Sequence, residues 1–159
     1  MSGVEVLVQD RSGAPIDLQL QKRRAEELLA RLGYSSGELG VTYVGPGEME
    51  ELNRGHMGHS GPTDVLTFPL DAGEGGNPPR AVAADVPLLL GDIIICPQVA
   101  EQQADAAGKG LDDELCLLLV HGMLHLAGLD HEADQGEMEA RQDELVRELC
   151  LRRKSSDDV

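Results

Sequence analysis

The sequence predicts a single α+β domain, with one mixed sheet of about four strands and helices packed on it. Three observations lead there. Strand-like and helix-like runs alternate along the chain, but the helices are of uneven length. The 159 residues suffice for one core. A helix predicted over 111–126 is apolar on nearly every side, so it needs a domain interior to run through. The order of strands in the sheet is not readable from the chain.

Residues 4–8, Val-Glu-Val-Leu-Val, read as a first strand. A helix is expected over 17–32, with Asp17 as N-cap, Leu18, Leu28, Leu29 and Leu32 on its apolar side, and Gly33 at its stop. Its Lys22-Arg23-Arg24 run reads as a solvated face in preference to an RNA contact. Residues 39–44 give a second strand, 46–53 a short helix with Pro46 in its first turn, and 65–69 a third strand. Between 71 and 87, Gly73, Gly75, Gly76, Pro78, Pro79 and Pro87 give loop composition, and a connection of that length suggests a flap near a site. A fourth strand over 88–96 and a helix over 98–107 precede the apolar helix. A final amphipathic helix over 133–151 carries Met138, Leu145, Val146, Leu149 and Cys150, and Arg152, Arg153 and Lys154 suit its negative end. The domain is expected to span 1–154, with 155–159 a frayed tail.

The apolar helix also carries the chemistry. In His121-Gly-Met-Leu-His125-Leu-Ala-Gly128-Leu-Asp130-His131, the first two imidazoles are four residues apart. At ~100° and ~1.5 Å per residue they share one helix face, roughly 6 Å apart along the axis. In an unbroken helix His131 would lie about 120° around the axis from His125, out of reach of a common ion. Gly128 supplies the break, because glycine accepts the left-handed conformation that ends helices. Three neutral imidazoles with a fourth position left to water describe a catalytic zinc site, and nickel or another late transition metal fits the same donors. Asp130 has two readings, a carboxylate that orients an imidazole or the N-cap of the next helix. The ligand spacing matches the metzincin string H-E-x-x-H-x-x-G-x-x-H, but Gly122 stands where that chemistry needs its glutamate base. Glutamate-assisted peptide hydrolysis is therefore disfavoured, and a phosphodiester becomes a candidate electrophile.

At this point the motif resembles a known family. HGMLHLAGLDH is similar to the H-G-x-L-H-L-x-G-x-D-H hallmark of the YbeY family, bacterial metal-dependent endoribonucleases of ribosomal RNA maturation and ribosome quality control. Leu52-Asn53 with Pro62-Thr63-Asp64-Val65-Leu66-Thr67-Phe68-Pro69 resembles that family's L-N-x-x-x-R-G-x-x-x-P-T-D-V-L-S-F-P, and Gly91-Asp92-Ile93-Ile94-Ile95 its G-D-I-V-I strand. The resemblance implies a zincin-like metal hydrolase fold, one zinc ion on His121, His125 and His131, single-stranded ribosomal RNA as substrate, and small ribosomal subunit proteins as partners. DNA is not expected. One departure stands out: the family's arginine position is occupied by Met57, whose thioether cannot pair with phosphate. Arg54, three residues earlier, and His59, where the family often has lysine, are the candidate phosphate contacts.

Composition adds limits. Asp and Glu number 29 against 13 Lys and Arg, a net charge of −16, which is an awkward sign for an RNA enzyme. Locally, however, 53–63 holds no acidic residue and contains Arg54, His56 and His59, and a bound dication would add charge of its own. Tyr34, Tyr43 and Phe68 are too few for a base-stacking platform, so RNA contact is expected through backbone and shape, or through a basic ribosomal protein. Cys96, Cys116 and Cys150 show no C-x-x-C spacing and read as reduced core residues. The N-terminus has no basic and apolar leader pattern, and no run is long enough to span a membrane, so a cytoplasmic location is expected. Three functions compete: the endoribonuclease, a metal-bound ribosome assembly factor that does not cut, and a metal-dependent peptidase.

Overall fold

The computed structural model describes residues 3–57, 63–73, 88–129 and 136–151. Nine elements follow in order among them: β1 (Gly3–Arg11), α1 (Leu18–Arg31), β2 (Ser36–Val44), α2 (Pro46–Met57), β3 (Val65–Pro69), β4 (Leu89–Ile95), α3 (Pro97–Ala107), α4 (Leu111–Leu126) and α5 (Glu137–Val146). A π-helical turn, Arg147–Leu151, continues α5. The expected α+β architecture with a four-stranded mixed sheet is what these residues form. The sheet runs β1-β2-β4-β3. The first three strands in that order are parallel, and β3 lies antiparallel on the outer side of β4.

β1 and β2 outrun the expected 4–8 and 39–44 for a physical reason, whereas β3 keeps its expected bounds and β4 is one residue shorter at each end than 88–96. Along β1 the side chains alternate, Val4, Val6 and Val8 inward and Glu5, Leu7 and Gln9 outward. Pairing with β2 then continues through the polar Gln9 to Arg11, because ladder hydrogen bonds need only backbone. On the inner face, α1 packs on β1, and α4 lies across β3 and β4 and also touches α1, α3 and α5. Leu28, Leu29, Ile93, Leu119 and Met123 are fully enclosed between these layers. On the opposite face a smaller cluster forms where Met49 and Leu52 of α2 meet Val44, Leu66 and Ile94.

The helix signals act as their chemistry requires. Asp17 caps α1, its carboxylate accepting from the Leu20 amide at 3.1 Å. Asp112, Asp113 and Glu114 occupy the first turn of α4, the positive end of its dipole. Glu114 is buried there and pairs with Lys109 at 2.9 Å.

Two expectations need correction. Lys22-Arg23-Arg24 is not a uniformly solvated face: Arg24 is buried and donates Nη1 to the Asp112 carbonyl at 2.8 Å, tying α1 to the start of α4. Lys22 stays outside, within 4.0 Å of Glu26. The cysteines are not three separate thiols either. Cys116 of α4 and Cys150 of the π-helical turn form a disulfide, with Cα atoms 6.0 Å apart, while Cys96 is free and buried. A sequence separation of 34 concealed that both face one seam.

Tyr34, buried just after α1, donates its hydroxyl to the Ala72 carbonyl beyond β3. Burial pushes its pKa up from 10.0 to about 12. Because the folded value exceeds the unfolded one, the neutral hydroxyl's contribution is intact below pH 10 and is lost as pH rises through about 12. Tyr43, raised by burial as well, contributes in the same direction. Tyr34→Phe is therefore expected to lower stability by about 1 kcal/mol at neutral pH. It should also flatten part of the alkaline decline, read from urea midpoints between neutral pH and pH 11.

Candidate metal centre

The site begins with the apolarity of α4. Leu115, Leu119, Val120, Met123 and Leu124 are buried, which holds the helix rigidly across the sheet while His121 and His125 stay partly accessible. Their spacing brings them onto one face, as the sequence requires. The rings stand edge to face, with centroids 4.6 Å apart. The Nε2 atoms converge to 3.1 Å.

Beyond His125 the helix ends in C-capping bonds. Gly128 adopts φ 95°, its amide bonds the His125 carbonyl at 3.0 Å, and the Leu129 amide bonds the Leu124 carbonyl at 3.0 Å. Gly128 thus ends the helix where the sequence called for a turn. His131 and Asp130 follow at once and lie outside the described residues, as does His59. Among the described residues no group of three metal-binding side chains is complete.

Gly122 has a packing role that the motif comparison did not supply. A Cβ at this position would lie 3.0 Å from Ile93 Cγ2 and 3.4 Å from Thr67 Cγ2. The residue between the two histidine turns is therefore where α4 rests on β3 and β4.

Sequence reasoning missed Gln142. Its Oε1 lies 2.7 Å from His121 Nδ1, so α5 reaches over to the first histidine. A signal was present: Gln142 falls on the stripe of Met138, Leu145 and Leu149, the face of the C-terminal helix that turns toward the core. Arg54, expected as a phosphate contact, sits exposed in the last turns of α2 and pairs with Glu50 at 2.9 Å. The Met57 position closes that helix.

The donors suit a late transition metal. Two imidazole Nε2 atoms 3.1 Å apart have the separation expected of two ligands on one zinc ion, each at ~2.0–2.1 Å. Oxygen-seeking cations are a poorer match for nitrogen donors.

A family model described as Endoribonuclease YbeY matches residues 9–150. The Endoribonuclease YbeY of Micrococcus luteus is 43% identical over 152 residues, covering 94% of this chain and 93% of its own. That of Salinispora tropica is 43% identical over 139 residues, covering 86% and 88%. The solution structure of a protein from Thermotoga maritima matches with a TM-score of 0.65 at 30% identity, over 95% of this chain and 93% of that one. The resemblance carried by the histidine motif and the upstream strands thus extends over nearly the whole length, and the chain belongs to the endoribonuclease YbeY family.

Proposed function

We propose that this protein is a zinc-dependent endoribonuclease that cuts single-stranded ribosomal RNA in rRNA maturation and ribosome quality control. The observation that carries the reading is the convergence of His121 and His125 Nε2 at 3.1 Å, in a chain whose relatives are named endoribonucleases. His131, three residues beyond the helix-ending Gly128 in the sequence, is assigned as the third ligand, and Asp130 beside it as the carboxylate that orients an imidazole. When bound there, the ion supplies a Lewis acid and activates water at neutral pH. The protein's part is to hold the imidazoles on a buried helix and to leave one side open to the phosphodiester. Arg54 serves the RNA backbone by exchanging its exposed partner Glu50 for phosphate, with His59 as a second contact. The activity belongs in the cytoplasm with the assembling small ribosomal subunit and its proteins. No helix among the described residues is long and apolar enough to cross a membrane.

The substrate reading is tested by offering zinc-loaded protein a labelled single-stranded rRNA precursor, the same strand in a duplex, and its DNA copy. Cutting is expected in the single-stranded RNA alone. Equal cutting of duplex or DNA contradicts the assignment.

A second reading, a metal-bound assembly factor that does not cut, draws on Met57 at the family's arginine position and on the pairing of Arg54 with Glu50. Ribosomal-protein capture that survives simultaneous His121→Ala, His125→Ala and His131→Ala changes, with no RNA cleavage by the wild type, would favour it.

A further inference from the structure

We propose that Gln142 is a positioning residue that fixes the tautomer of His121 and aims its Nε2 at the point where the His125 Nε2 also aims. The inference rests on the metal-site reading above and deepens it.

A neutral imidazole carries one proton on either ring nitrogen, and only the bare nitrogen can bind a metal. Gln142 Oε1 is an acceptor without a proton, and it lies 2.7 Å from His121 Nδ1. That contact is a hydrogen bond only if Nδ1 donates. The His121 lone pair is therefore on Nε2, the atom that faces the His125 Nε2 at 3.1 Å. The same bond resists rotation of the ring about its own axis.

Gln142 can do this because its helix is anchored independently. The disulfide between Cys116 and Cys150 ties α4, the helix of His121, to the π-helical turn continuing α5. Arg31 at the end of α1 pairs with Glu148 of that turn at 2.9 Å. Arg141, next to Gln142, donates to the Arg31 carbonyl at 3.4 Å. Met138 and Leu145, one turn to either side, are buried against the core. A side chain so held keeps its acceptor in place before any metal arrives, which is what a site needs to bind tightly.

The test uses Gln142→Leu, which keeps approximate size but removes the acceptor, and Gln142→Glu, which restores one. Two readouts apply to the full-length protein: the zinc dissociation constant by competition with a chromophoric chelator, and the tautomer of His121 by long-range nitrogen NMR on metal-free, histidine-labelled protein. Gln142→Leu is expected to weaken zinc binding about 10- to 100-fold, the usual effect of losing a partner behind a metal-bound histidine. It should also convert His121 from the Nδ1-protonated form to a mixture. Gln142→Glu should recover both. Unchanged affinity and tautomer in Gln142→Leu overturn the positioning role, as does failure of Gln142→Glu to restore a weakened site. A wild type that takes up no zinc sinks the metal-site reading, and the positioning role with it. A wild type that binds zinc alongside an equally tight Gln142→Leu sinks the positioning role alone.

Discussion

Replacing His125 with alanine is expected to remove stoichiometric metal binding and RNA cleavage together while leaving the fold in place. His125 sits in the last turn of α4, is only partly buried, and has its Nε2 at the convergence point with His121. Alanine has the highest helix propensity, so α4 should keep its length, and unfolding free energy should change by no more than about 1 kcal/mol. The functional loss should exceed the roughly 10- to 100-fold typical of removing a partner behind a ligand, since here the donor itself is gone. Metal content after dialysis, the urea midpoint and the cleavage rate measure the three quantities separately. Retention of one equivalent of metal with wild-type affinity would contradict the site.

Gly122→Glu should give an unstable protein with no gain of peptidase activity, although it completes the H-E-x-x-H string in the sequence. Gly122 is buried, and a Cβ there already meets Ile93 Cγ2 at 3.0 Å, tighter than ordinary contact. The rest of a glutamate must displace Ile93 or Thr67, at about 1–3 kcal/mol for overpacking. A carboxylate left in that seam without partners adds roughly 1–3 kcal/mol or more. Together these approach the ~5–15 kcal/mol that holds a domain folded. Gly122→Ala separates the causes. Its helix-propensity gain of about 1 kcal/mol offsets the crowding from one methyl, so its urea midpoint should stay near that of the wild type. A Gly122→Glu protein with an undiminished midpoint that also cleaves casein would show that the packing against β3 and β4 has been misread.

How far the chain could be read beforehand depended on where the decisive interaction lay. The bounds of α4 were legible because its apolarity is unbroken from Leu115 to Val120 and Gly128 marks its end with a specific backbone requirement. Asp17 was legible as a cap because a carboxylate before an apolar helical run has few other uses. The end of β1 and the start of β2 were not, since Gln9 to Arg11 and Ser36 to Glu38 are held by backbone pairing that leaves no hydropathy trace. The sequence predicts the last helix over 133–151, whereas α5 begins at Glu137 and turns π-helical at Arg147, and the residues between Leu129 and Gly136 lie outside the described ones. The flap expected over 71–87 likewise falls mostly outside them.

Within the site the contrast is the same. His121 and His125 declare themselves because one helix fixes their relation. Gln142 does not, because its meeting with His121 spans 21 residues and two helices. The same holds for the Cys116–Cys150 bond and for the burial of Arg24 under Asp112. Each depends on how α1, α4 and the C-terminal helix pack, which periodicity within any one of them does not specify.

The most direct test of the account is cleavage of a labelled ribosomal RNA precursor by three identically purified samples: zinc-loaded wild type, chelator-treated wild type, and His125→Ala. The account predicts cutting by the loaded wild type alone, with activity returning to the chelated sample when zinc is restored. Equal cutting by all three would point to a contaminating nuclease, and absence of cutting by the loaded wild type under several metals would contradict the enzyme assignment.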